Sequence, residues 1–197
     1  MDTFSLKYNK IMCTKVLMSL LVLFTHNACV NGVCPEESTL YGENLKEIIC
    51  YKENKEKHGM HIKWHADGKT KKFRRSYKDN QLNGPYKEWY SNGQLKVKLH
   101  YLQNNLNGNY TRWYSNGQIH IKASYVNGTK VGPYLEYYKN GQIKLEYNFN
   151  EIGKPDGQQT EYRMNGYKSR RRIYAGGKLI GKMSWNLSGR LDPIIAF

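Results

Sequence analysis

The densest run of potential metal ligands in this chain is His58-Gly59-Met60-His61-Ile62-Lys63-Trp64-His65. In an extended strand His61 and His65 share a face but stand four residues apart, about 13 Å, too far to clasp one ion. No cysteine or carboxylate of that strand completes a ligand set, so no metal and no cofactor is assigned. Glu88, Glu136 and Glu161 recur at one position of three repeated units, each four residues after a glycine. General acid–base work needs two carboxylates converging on one cleft, and a one-layer sheet offers none. Charge pairing with Lys and Arg of neighbouring strands is the simpler expectation. No catalytic residue is assigned. What remains is the chemistry of contact. Tyr86, Tyr90, Tyr110, Tyr114, Tyr134 and Tyr138 recur with the same period, and tyrosine offers large contact area with few rotatable bonds. With Lys96, Lys98, Arg112 and Lys122 as the electrostatic component, these ten are the expected binding residues, the tyrosines facing outward. Cross-strand ladders that hold the structure together are the competing role for the tyrosines.

The elements that must position them are repeats. Gly59, Gly84, Gly108, Gly132 and Gly157 open successive units, at spacings of 25, 24, 24 and 25 residues, and Gly181 opens a truncated sixth. An aromatic follows five residues after each of the five: Trp64, Trp89, Trp113, Tyr137 and Tyr162. A second glycine follows after nine: Gly68, Gly93, Gly117, Gly141 and Gly166. A period this short means that each unit is one supersecondary element stacked on its neighbours. Leu95, Val97, Leu99 and Tyr101 alternate with Lys96, Lys98 and His100, the signature of a half-buried strand. Asn-Gly or Asp-Gly joins the two halves of each unit and predicts a β-hairpin. Two registers are open. A two-residue turn sets Tyr90 opposite Leu95 and puts Tyr86, Glu88 and Tyr90 on the apolar face. A three-residue turn ending in a glycine bulge sets Trp89 opposite Leu95 instead. The second is preferred because it gathers Trp and the aliphatics on one side.

Gly84-Pro85-Tyr86 with Trp89-Tyr90-Ser91-Asn92-Gly93, Trp113-Tyr114-Ser115-Asn116-Gly117 and Tyr137-Tyr138-Lys139-Asn140-Gly141 carry a pattern that resembles the MORN-type repeat, in the variant of YwqK-type bacterial proteins. The resemblance covers about residues 59–189 and weakens in the first and fifth units. It implies an all-β fold, an elongated single-layer antiparallel sheet of tandem hairpins. It also implies a scaffold for protein or lipid contact with no catalytic residue, and an antitoxin role for some members. The expected units are 59–83, 84–107, 108–131, 132–156, 157–180 and a partial 181–189, with a tail at 190–197. Polar residues replace apolar ones in the outer units (Lys71 and Arg75; Lys168, Arg170 and Arg172), as expected of solvated caps. A polyanion-binding patch at each end is the alternative reading of these basic runs.

Residues 1–28 read as a signal peptide. Lys7, Lys10 and Lys15 precede a largely apolar run, Val16–Phe24, and small Ala28 follows. Nine residues cannot cross a bilayer core, which takes about 20. Met12 is a second possible start. Cleavage after Ala28 leaves Cys29, Cys34 and Cys50. If Cys29 is lipidated, Cys34 and Cys50 remain as a disulfide pair stapling residues 29–58 to the first hairpin. His26 and Asn27 depart from the usual lipobox. The net charge of +15 divides as +2 for residues 1–28, −2 for 29–58, +14 for 59–180 and +1 for 181–197. Such an excess on the repeats favours anionic surfaces such as acidic lipid or wall polymer, and export removes the chain from nucleic acid. The expectation is an exported, envelope-located, non-catalytic scaffold, lipid-anchored through Cys29 or secreted. The alternatives are an immunity-type inhibitor and a charge-driven polyanion or lipid binder.

Overall fold

The computed structural model describes residues 10–11, 34–35, 38–43 and 46–192. Cys29 and most of the expected leader lie outside the described residues. The described elements are all strands: β1 (Lys10–Ile11), β2 (Thr39–Glu43), β3 (Glu47–Tyr51), β4 (Lys57–Trp64), β5 (Lys71–Lys78), β6 (Gln81–Leu82), β7 (Gly84–Trp89), β8 (Leu95–Leu102), β9 (Asn105–Leu106), β10 (Gly108–Trp113), β11 (Ile119–Val126), β12 (Thr129–Tyr137), β13 (Ile143–Phe149), β14 (Gly157–Tyr162), β15 (Lys168–Ala175) and β16 (Lys178–Ser184). They form one open antiparallel sheet in chain order, with β6 and β9 folded back on β5 and β8. Among the described residues no helix is long and apolar enough to cross a membrane. The all-β, single-layer fold expected from the repeats is the observed one.

Each unit is a hairpin, with a four-residue turn between His65 and Thr70 in the first and a three-residue turn in the others. In the second unit the Tyr90 amide donates to the Gln94 carbonyl at 2.9 Å, and the Gly93 amide to the Tyr90 carbonyl at 3.0 Å. Gly93 closes the turn at φ +84°, a conformation that costs glycine little and other residues more. Trp89 therefore lies opposite Leu95, as preferred. The faces, however, do not follow. A bulge leaves Lys96 unpaired, so that Glu88 opposes Val97, Tyr86 opposes Leu99 and Gly84 opposes Tyr101. Directly opposed residues share a face. Val97 and Leu99 thus lie with Tyr86 and Glu88, while Leu95 alone lies with Trp89. His120, Lys144, Ser169 and Lys72 mark the same bulge in the other units. Each of the five opening glycines is paired with an aromatic across its hairpin, Gly108 with Tyr125 and Gly132 with Phe149.

Four of the five links between units supply two-residue turns, the link after the fourth unit being a three-residue turn between Asn150 and Lys154. Asp79-Asn80, Gln103-Asn104, Asn127-Gly128 and Gly176-Gly177 have positive φ at both residues, the mirror-image turn whose twist matches that of the strands it joins. Leu99 and Ala123 are buried, with Val97, on the face shared with the tyrosines, and Cys50 closes the N-terminal end at 1% exposure. Cys50 is bonded to Cys34, so the expected disulfide is formed. At the other end Trp185 opposes Leu191, and the Gly189 amide donates to the Asn186 carbonyl. The hairpin turn of the sixth unit is therefore built, beyond the expected limit at Gly189.

Candidate binding faces

Two rows of side chains cross the sheet beside each other, one on each face. On the first face, successive opposed pairs run Glu47, Lys63, Phe73, Glu88, Val97, Arg112, Ile121, Glu136, Leu145, Glu161, Arg170. Two residues along each hairpin, the same face carries Tyr86 opposite Leu99, Tyr110 opposite Ala123 and Tyr134 opposite Tyr147. Tyr101 packs edge-on against Tyr86, and Tyr125 against Tyr110. Burial pushes the Tyr86 and Tyr134 hydroxyls up to about 12 and raises that of Tyr110. These three are half-buried neutral phenols that keep their donor protons at neutral pH.

The carboxylates of this row pair as expected. Glu88 meets Lys96 at 2.7 Å, Glu136 meets Lys144 at 2.7 Å, and Glu161 meets Arg172 at 2.6 Å. The third unit breaks the pattern, with Arg112 where its neighbours carry Glu. Among the described residues Arg112 makes no ion pair, and its buried Nε has no hydrogen-bond partner. His120 stands at the position that Lys96 and Lys144 hold in the adjoining units. Its ring stacks on Tyr114 and lies 3.7 Å from Glu136. Burial and the Arg112 charge lower the His120 pKa.

Tyr90, Tyr114 and Tyr138 have a different place. Their hydroxyls donate to the backbone carbonyls of Trp113, Tyr137 and Tyr162 in the next unit, each at 2.8 Å. His65 reaches the Trp89 carbonyl at 3.0 Å, and Arg163 the Trp185 carbonyl at 2.7 Å, from the same repeat position. Sequence reasoning missed His65 and Arg163. The signal was present, since a donor side chain stands six residues after each of the first five opening glycines. The six tyrosines are all half-buried, and the ten expected binding residues do not form one surface. Tyr86, Tyr110, Tyr134 and Arg112 share the first face, Lys96 is tied to Glu88, and Lys98 and Lys122 lie exposed on the second.

The three histidines of the N-terminal unit diverge. His58 Nδ1 lies 3.1 Å from Asp79, His65 reaches the Trp89 carbonyl, and His61 is buried between Glu47 and Arg75. Arg75 Nε donates to His61 Nδ1 at 3.2 Å, so Nε2 carries the ring proton and donates to Glu47. Burial lowers the His61 pKa. Burial also pushes the Glu47 carboxyl up, but the hydrogen bonds of Lys63 and His61 hold it below the ordinary value.

No curated protein matches the chain. The family described as MORN repeat variant matches residues 82–103, 106–127 and 130–151. These segments hold the hairpins β7–β8, β10–β11 and β12–β13. The chain thus carries three tandem MORN-type repeats, continued on either side by hairpins of the same geometry.

Proposed function

We propose that this chain is a non-catalytic scaffold of the YwqK-like kind, exported to the cell envelope, that binds a protein partner through its tyrosine face. One observation carries the reading. Arg112 sits between Glu88 and Glu136, both already neutralised by their own lysines, and among the described residues it has no counter-charge of its own. A half-buried cation without a partner is costly to the free protein, and a carboxylate from a partner relieves it. Tyr86, Tyr110 and Tyr134 surround that position with rigid aromatic area, the composition of an interface anchor. The Cys34–Cys50 disulfide supports an oxidising compartment, and lipidation at Cys29 would hold the scaffold at a membrane.

The test is capture of partners by the tagged protein, washed at low and at high salt, beside the variants Arg112→Gln and Tyr110→Ala. A single stoichiometric protein retained by the parent and lost by both variants at unchanged fold supports the reading. Equal retention by the variants overturns it. An immunity-type inhibitor is a particular case, distinguished when the captured protein is a toxin neutralised by the chain.

A further inference from the structure

The second face carries a charge pattern that the fold does not use. Successive opposed pairs run Ile62, Arg74, Lys87, Lys98, Thr111, Lys122, Leu135. Arg74 opposes Lys87 and Lys87 opposes Lys98, three cations in direct register on adjacent strands. Like charges placed so are destabilising. Among the described residues none of Arg74, Lys87, Lys98 and Lys122 makes an ion pair. Thr111 fills the one gap with a hydroxyl. On one side of the row Ser76, His100, Asn109 and Ser124 add polar groups, with Pro85 among them and no carboxylate; on the other side stand Trp89 opposite Leu95 and Trp113 opposite Ile119. Glu146 ends the row beyond Leu135. Arg74 and Lys122 are thus four strand steps apart, about 19 Å at about 4.8 Å per step.

We propose that this row is a binding site for a linear phosphate polymer, distinct from the tyrosine face and lying across the strands. Spacing decides between polyanions. An acidic peptide in an extended conformation shows carboxylates on one side only every ~6.8 Å, out of step with cations one strand apart. A phosphate chain bears charge on every link, and lysine ammonium groups meet phosphate oxygens as point charges with free orientation. The Thr111 hydroxyl and the Asn109 amide, whose oxygen accepts from Ser124, add neutral donors to the same oxygens.

Fluorescence anisotropy with end-labelled inorganic polyphosphate tests the proposal on the full chain, with poly-glutamate of matched charge as competitor. Lys87→Gln with Lys98→Gln is expected to weaken binding about tenfold or more and to flatten its salt dependence, since fewer counterions are released. Lys154→Gln with Lys178→Gln removes the same charge outside the row and should leave affinity nearly unchanged. Arg74→Gln with Lys122→Gln, at the ends of the row, provides an independent second variant. All row variants should melt no lower than the parent, because they relieve like-charge contacts. Equal losses in row and control variants overturn the site. Poly-glutamate binding as tight as polyphosphate, or no saturable binding at low salt, also overturns it.

Discussion

Each hairpin is tied to the next by a recurring side-chain donor near its turn: His65, Tyr90, Tyr114, Tyr138 and Arg163 in order along the chain. The acceptor in each case is the backbone carbonyl of the aromatic that opens the next turn. A residue at this position needs a donor at a set reach more than a particular ring, which is why His and Arg substitute for Tyr at the two ends. Tyr114→Phe removes only the hydroxyl and leaves the Tyr137 carbonyl without that partner. It should cost about 0.5–1.5 kcal/mol, a few degrees of Tm in a chain of this size. Tyr110→Phe breaks no such bond and should melt close to the parent. Thermal unfolding of the pair followed by circular dichroism checks the contrast. His61 gives a second prediction at this scale. Its neutral ring accepts from Arg75 and donates to Glu47, and its folded pKa lies below the ordinary 6.5. The unfolded chain therefore binds the proton first, and stability, full above about 6.5, falls as pH drops below it. Glu47, also held low, adds a further loss below about 4.5. His61→Gln should flatten the upper part of this profile, measured as Tm between neutral and mildly acid pH.

The bulge is the element that decides which side chains meet. Strands, hairpin partners and turn length were all legible, because Asn-Gly, period-two alternation and the repeat spacing are local signals. The face pairing was not. Leu95, Val97, Leu99 and Tyr101 read as one uninterrupted alternation, and the residue that interrupts it, Lys96, occupies an ordinary polar slot. Its extra length turns Val97 and Leu99 to the side of Tyr86 and Glu88, while Trp89 stays with Leu95. Arg112 was named as a cation, but its lack of a counter-charge depends on where the bulge sends Lys96 and Lys144. That appears only in three dimensions. Arg74 and Lys87 were passed over for a similar reason, because they belong to different hairpins and meet only across the joint between units. Lys96→Ala keeps the bulge and loses an ion pair with Glu88, roughly 0–1 kcal/mol at this exposure. Deleting Lys96 loses the same ion pair and closes the bulge, but Trp89 stays opposite Leu95 and Glu88 opposite Val97, so Val97 and Leu99 keep their face and a single cooperative melting transition should survive. Denaturation curves of the two variants check this, and loss of the transition on deletion would mean that the bulge itself is needed for folding.

Across the whole sheet, each unit touches only the units before and after it, so stability is distributed as a chain of nearest-neighbour terms. The N-terminal end is secured differently from the rest. Cys34 is bonded to Cys50 on β3, across 16 positions of sequence, and Pro35 lies so close to Gly59 that a Cβ built there would stand 2.4 Å from its Cδ. The first repeat is thus seated against the disulfide segment by contacts that the later joints, built on tyrosine donors and paired turns, do not use. Closing a loop of this length is worth roughly 3 kcal/mol on the chain-entropy account. Replacing both cysteines by serine should remove about that much, but not evenly. Amide protection measured by hydrogen exchange should fall in β2 to β5 and stay near the parental level from β10 onward, because a disturbance in a one-dimensional array decays with each joint it crosses. Gly59→Ala, which forces Pro35 away and strains a residue at φ +96°, should give the same localised pattern with the disulfide still present. A uniform fall in protection along the whole chain would mean that the units unfold together. The hydroxyl ladder and the paired turns would then couple them strongly enough to make the sheet one cooperative body.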